Sequence, residues 1–384
     1  MNTFDLEEYQ RRTAATRAAL SEAGYAALLV FAQESLYYLF GYDGGGYVFF
    51  QCAVLPVDET PPVLLCRRPD VAQARDTSTI TDISVWLNAE DQNPAADLRQ
   101  ILDDLGMCGE RVGIETDSYG LTGYNHQLVV DAMDGFCELR EASHVVRGQR
   151  LRKSTAEIEV IRRAAALADD AVDSVANIAA PGVLDSSLTA AALAAILDGG
   201  GDMPPAGPLV NSGSRAVYGR GVGGPRTLSA QDQVLVELAG TYRRYNCCIE
   251  RTIAVGRADA TYLAMYDLAA QTLAEMLNAF APGKPLGRVD EIHRARLDRA
   301  GYADSRYAAC GYSLGATYRP SWMDVPPMIY AGNPLILEPG MVFFPHVMLG
   351  DLKSRNAVGV GNTVLITESG FDSLSRHDLD LIRT

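Results

Sequence analysis

No stretch of the sequence approaches the roughly 20 consecutive apolar residues that a membrane-spanning helix needs. The first residues, MNTFDLEEYQRR, are acidic and are not followed by an apolar run, so an unexported, soluble protein is expected. Cysteine is sparse and unpatterned: seven residues (52, 66, 108, 137, 247, 248 and 310) with no C-x-x-C pair. Neither a disulfide framework nor a zinc ribbon is expected, and a reducing cytoplasm fits best. Positive charge is also short, with 33 Lys and Arg against 48 Asp and Glu and a net charge of -15. That balance disfavours nucleic acid and acidic lipid as partners. There is no repeat at a fixed period, and nothing of low complexity beyond short glycine clusters such as DGGG at 43–46.

What is present is a chain of 384 residues, 48% of them hydrophobic, enough for two domains with separate cores. Residues 7–24 have helical periodicity, and the apolar run 26–31 reads as a buried strand. Further strand-like runs at 47–55, 62–65 and 111–114 alternate with helical segments at 95–105 and 122–134. This predicts an α/β domain over residues 1–150.

A second domain, 151–384, opens with an Ala-rich amphipathic segment at 157–180, preceded by the capping box Ser154-x-x-Glu157. Helices at 186–198, 260–280 and 288–300, a Gly/Pro-rich stretch at 199–225, and a strand pair over 233–255 predict an α+β architecture.

The strand pair carries the chemistry. In VLVELAGTYRRYNCCIERTIAVG (234–256) the chain turns around 242–244. Strand alternation places Leu235, Glu237 and Ala239 on one face of the first strand, and Cys248, Glu250 and Thr252 together on the second. Simple pairing brings both carboxylates to one face. Carboxylates buried in apolar strands must be paired or hydrogen-bonded, and two close together push at least one pKa upward, which suits acid/base or nucleophilic work. The alternative is that Glu237 or Glu250 faces water or pairs with Arg243, Arg244 or Arg251.

Several segments resemble the pita-bread family of creatinase, ectoine hydrolase, prolidase and the Xaa-Pro aminopeptidases: SLYYLFGYDGG (35–45), LRKSTAEIEVIRRAAALAD (151–169), LEPGMVF (337–343) and NTVLITESG (362–370). The resemblance implies a creatinase-type N-terminal α/β domain followed by a pita-bread catalytic domain. Residues 41–47 are similar to a segment that in dimeric relatives reaches the neighbouring active site, which implies a homodimer. The metallopeptidase members hold two metal ions with two Asp, a His and two Glu. The matching positions here are Glu237, Cys248, Tyr312, His346 and Gly361. Such a set does not supply the several oxygen ligands that hard divalent ions require, although Glu237, Cys248 and His346 are each of a type that binds zinc.

The resemblance therefore points to the metal-free branch, with no cofactor. ELAGTYRRY (237–245) and GYSLGATYRPSW (311–322) are similar to ectoine hydrolases, and IERT (249–252) is similar to creatinase. Implied is a metal-independent hydrolase cleaving a C–N bond in a small zwitterionic nitrogen compound. Glu237, Glu250 and His346 are the expected catalytic residues. Tyr218, Arg220, Cys248, Tyr312, Tyr318 and Trp322 are the expected substrate-binding residues, with the Arg220 guanidinium as a carboxylate anchor and aromatic faces for a cationic group. The sequence departs from that branch in having no His in 211–227 and no late glutamate in VGVGN (358–362). A metal-dependent Xaa-Pro peptidase with a rebuilt site and a non-catalytic ligand-binding member of the fold are the competing expectations.

Overall fold

A computed structural model describes residues 3–221, 223–307 and 310–384. The chain divides into two compact units, Met1–Arg150 and Leu151–Thr384.

The first unit is built on a six-stranded sheet in the order Asp82–Trp86, Val63–Arg67, Cys52–Pro56, Ala27–Val30, Arg111–Ile114, Glu138–Glu141. The central strand Ala27–Val30 is apolar throughout because both of its faces are covered: Ala27 and Leu29 enter one core, Leu28 and Val30 the other. The strand expected over 47–55 is shorter. Gly46–Val48 form a 3-10 turn, Val48 and Phe49 are exposed, and pairing begins only at Cys52. The helix Gln33–Phe40 has no counterpart in the sequence reading, since seven of its eight residues are buried, the polar Gln33 and Ser35 among them, and burial on all sides leaves no 3.6-residue alternation of polar and apolar positions.

The second unit folds around a nine-stranded sheet whose main path runs Phe371–Ser373, Val364–Ile366, Val342–Gly350, Ala357–Asn362, Tyr245–Val255, Asp232–Tyr242, Leu209–Ser212. The helix Thr155–Ile178 starts with the foreseen capping box, Ser154 and Glu157 each accepting from the other's backbone N–H. Glu157 also accepts from the Tyr245 hydroxyl at 2.8 Å, fastening the helix start to the hairpin. The hairpin turns through Arg243 and Arg244, both at positive φ (47° and 66°), with the Arg244 N–H held by Asp202.

Alternation then sorts the side chains. Val234, Val236, Leu238, Ile249 and Ile253 enter the core shared with helices Thr155–Ile178 and Asp185–Asp198. Glu237 and Glu250 are left on the other face, directly opposite each other. Among the described residues no helix is long and apolar enough to cross a membrane.

Candidate active site

Backbone register places the site. Leu209 pairs with Glu237, Glu237 with Glu250, Glu250 with Gly361, and Gly361 with His346, so these residues form one row across the sheet. Neighbouring strands lie about 4.8 Å apart, and side chains along such a row project from the same face. Tyr312 joins from the short strand Gly311–Ser313, which pairs with Val342–Gly350.

The glycine in this row is what lets His346 meet Glu250. A Cβ on Gly361 would lie 2.6 Å from the His346 Cβ and 2.7 Å from the Phe344 ring. With that space free, the imidazole stacks on Phe344 (centroids 5.2 Å, planes 8° apart), and its Nδ1 lies 3.1 Å from Glu250 Oε2. Gly359 provides the matching bed for the carboxylate, because a Cβ there would lie 2.2 Å from Glu250 Oε1. Substituting Gly361→Ala is therefore expected to displace His346 and to cost about 1–3 kcal/mol of stability by overpacking. Urea unfolding checks this, and a variant as stable as the parent with the His346–Glu250 contact intact would contradict it.

Beside the row lies a cavity of about 570 Å³, lined among others by Arg220, Glu237, Tyr307, Tyr312, Trp322 and His346. Glu237 presents its carboxylate there. Tyr312 donates to its Oε1 at 3.0 Å, and the Trp322 indole donates to the Tyr312 hydroxyl at 2.7 Å. Burial, reinforced by the charge of Glu250, pushes the Glu237 pKa up to about 7, against the opposing pull of His346, Tyr312 and Arg220. Burial alone would lower the imidazole pKa, but the hydrogen bond and charge of Glu250 outweigh it and His346 is raised above the usual histidine value. With Nδ1 committed to Glu250, Nε2 is the ring nitrogen available to a ligand.

Glu250 itself is fully buried and does not line the cavity. It is the carboxylate that holds His346 Nδ1, so the expected pair of glutamates on one site becomes one cavity-facing glutamate and a buried His–Glu pair. Among the described residues neither side chain forms an ion pair with Arg243, Arg244 or Arg251, and Arg251 spends its guanidinium on the Glu250 and Gly361 carbonyls and on Asn362.

Of the expected binding residues, Arg220, Tyr312 and Trp322 reach the cavity, and Tyr218, Cys248 and Tyr318 do not. Cys248 sits opposite Ala239, two residues along from the row, with its backbone N–H bonded to Thr363. Burial, together with the nearby Glu237, pushes its thiol well above the usual value, so it is not a ready nucleophile. Tyr218 is 46% exposed and stacks under Arg355, while Tyr318 packs beneath Arg244. Tyr307 and Phe344 were missed. Nothing in their local sequence marks them, since Phe344 acts through its stacking on His346, and Tyr307 reaches the cavity from a segment without regular structure while donating to the Val217 carbonyl.

The chain belongs to metallopeptidase family M24: that family's profile matches residues 159–368, and the creatinase/prolidase N-terminal domain profile matches residues 12–152. It thus has a creatinase-type N-terminal domain and a pita-bread domain. Among curated relatives it is similar to the ectoine hydrolase of Halomonas elongata, 26% identical over 97% of this chain and 96% of that one. It is also similar to a probable dipeptidase PepE of Mycobacterium tuberculosis, 28% identical over 99% and 97%. Among solved structures, a prolidase from Thermococcus sibiricus superposes with a TM-score of 0.87 at 21% identity, covering 98% of this chain and 99% of that one, which shows the fold alone. Together the relatives support hydrolase as the class of this protein.

The family name implies a metal, and the donors here do not fit one. Among the described residues, three His, Cys, Asp or Glu donor atoms converge within 4.8 Å of one another at Asp290, His293 and Cys310, and not at Glu237, Cys248 and His346. At the position matched to the last metal-binding glutamate, Gly361 offers no ligand, and Phe344 and His346 occupy the space above it. At Asp290, both carboxylate oxygens are already engaged by His293, Arg294 and the Ala331 N–H.

Proposed function

We propose that this protein hydrolyses a C–N bond in a small zwitterionic nitrogen compound, an ectoine-like cyclic amidine or a creatine-like substrate, without a metal. The observation that carries this reading is the cavity-facing Glu237 set beside an imidazole held by a buried carboxylate. Glu237 Oε2 has no protein hydrogen bond among the described residues, and a base with a pKa near the working pH transfers protons most effectively.

In the proposed step, Glu237 takes a proton from water as the water oxygen bonds to the electrophilic carbon. The C–N bond breaks, and the departing nitrogen takes a proton from His346 Nε2, whose charge Glu250 sustains. Arg220 on the cavity wall complements a substrate carboxylate, and the faces of Tyr312 and Trp322 complement a cationic group.

Elemental mass spectrometry on protein purified without chelator or metal resin is expected to find less than about a tenth of an equivalent of zinc or manganese per chain, since catalytic metals are normally retained. A proton-NMR screen of ectoine, hydroxyectoine, creatine and related amidines is then expected to find turnover insensitive to EDTA. Stoichiometric metal together with cleavage of Xaa-Pro dipeptides would overturn the proposal.

A further inference from the structure

Trp322, Tyr312 and Glu237 form a single chain of hydrogen bonds whose direction follows from the chemistry of its members. An indole nitrogen carries one proton and no lone pair for accepting, so it can only donate. Trp322 Nε1 lies 2.7 Å from the Tyr312 hydroxyl oxygen, which therefore accepts. The one proton of that hydroxyl is left for Glu237 Oε1, 3.0 Å away. Both aromatic side chains are 5% exposed, and the Tyr312 ring is held against Phe344 with centroids 5.5 Å apart. Cys248, the other group bordering this hydroxyl, is a thiol and a weaker acceptor than a carboxylate.

We infer that Trp322 is a positioning residue: by donating to Tyr312 it commits the tyrosine proton to Glu237 Oε1 and leaves Oε2 as the oxygen offered to a ligand in the cavity. Without the indole donor the hydroxyl is free to rotate toward Cys248, and Glu237 loses the bond that fixes its carboxylate plane. The catalytic meaning of this device rests on the function proposed above, whereas the hydrogen-bond chain does not.

The test uses the full-length protein labelled with [indole-15N]tryptophan. Its two tryptophans, Trp86 and Trp322, give two indole N–H resonances, assigned by Trp86→Phe. The Trp322 resonance is expected downfield, shifting upfield in Tyr312→Phe, moving again in Glu237→Ala as the tyrosine proton is released, and staying in place in Arg220→Gln. A resonance indifferent to Tyr312→Phe would overturn the inference. So would one that responds to Tyr312→Phe but not to Glu237→Ala, since Trp322 would then bond to Tyr312 without acting on Glu237.

On any substrate found by the screen, Trp322→Phe is expected to lower kcat about tenfold, the rate equivalent of one hydrogen bond, with KM little changed. Adding it to Tyr312→Phe should cost nothing further. A raised KM with kcat intact would leave Trp322 only the aromatic face it lends to the cavity wall and overturn the positioning role. The spectral arm needs no substrate, so failure of the hydrolase reading in the screen and failure of the chain in the spectrum are separate results.

Discussion

Glu237→Gln is expected to lower kcat by roughly 10²–10⁴-fold while leaving the fold intact, because it removes the one carboxylate among the described residues that lines the cavity and can take a proton from water. In the parent enzyme kcat/KM should rise as pH increases through about 7, where Glu237 ionises, and fall again where His346, itself raised, loses its proton. The variant should also change stability in a definite direction. A carboxylic acid whose pKa is about 7 when folded, and ordinary when unfolded, holds its proton more tightly in the native state. Native stability therefore declines as pH rises from the unfolded value toward 7. Glu237→Gln, which cannot ionise, should melt at a higher temperature than the parent at about pH 8 and at nearly the same temperature at about pH 5. Thermal melts at both values check this, and a variant destabilised at the higher pH would show that Glu237 is held by a favourable ion pair instead.

Glu250→Gln should be nearly as damaging to activity, by roughly 10²–10⁴-fold, although Glu250 never reaches the cavity. Its Oε2 orients His346 through Nδ1 and keeps the ring protonated, and an amide at this place supplies neither the charge nor a reliable choice of tautomer. The descending limb of the pH profile should move to lower pH as the imidazole returns toward its ordinary value. A histidine raised in the folded state contributes stability fully present below its unfolded pKa and lost as pH rises through the folded one. The deficit in melting temperature should accordingly be larger at about pH 6 than at about pH 9, where the variant also relieves repulsion between two buried carboxylates. A wild-type pH profile in Glu250→Gln would sink the dyad and return His346 to a packing role.

Where the structure departs from the sequence reading, the departures share a cause. Period-2 alternation along the hairpin was enough to put Glu237 and Glu250 on one face, and the observed register pairs them directly. Alternation is a property of one strand and its nearest partner. It carries no information about which strand lies on the far side or what that strand brings. Gly361 read as a lost ligand, yet in the sheet it is the gap through which His346 reaches Glu250. Tyr218 lies two residues from Arg220 and was grouped with it, but the loop turns one side chain into the cavity and the other toward Arg355.

The sequence by itself determined the two-part α/β and α+β organisation, the capping box that starts the helix Thr155–Ile178, and the hairpin with its two glutamates on one face, because each of these is written in local periodicity or in residue identity. Only the tertiary structure decided that one glutamate faces the cavity while the other is buried behind a histidine, and that a tryptophan and a tyrosine converge on the first. These facts depend on strand order across the sheet and on the room that two glycines leave for His346 and Glu250, and pairing between residues more than a hundred positions apart leaves no mark on the neighbours of either.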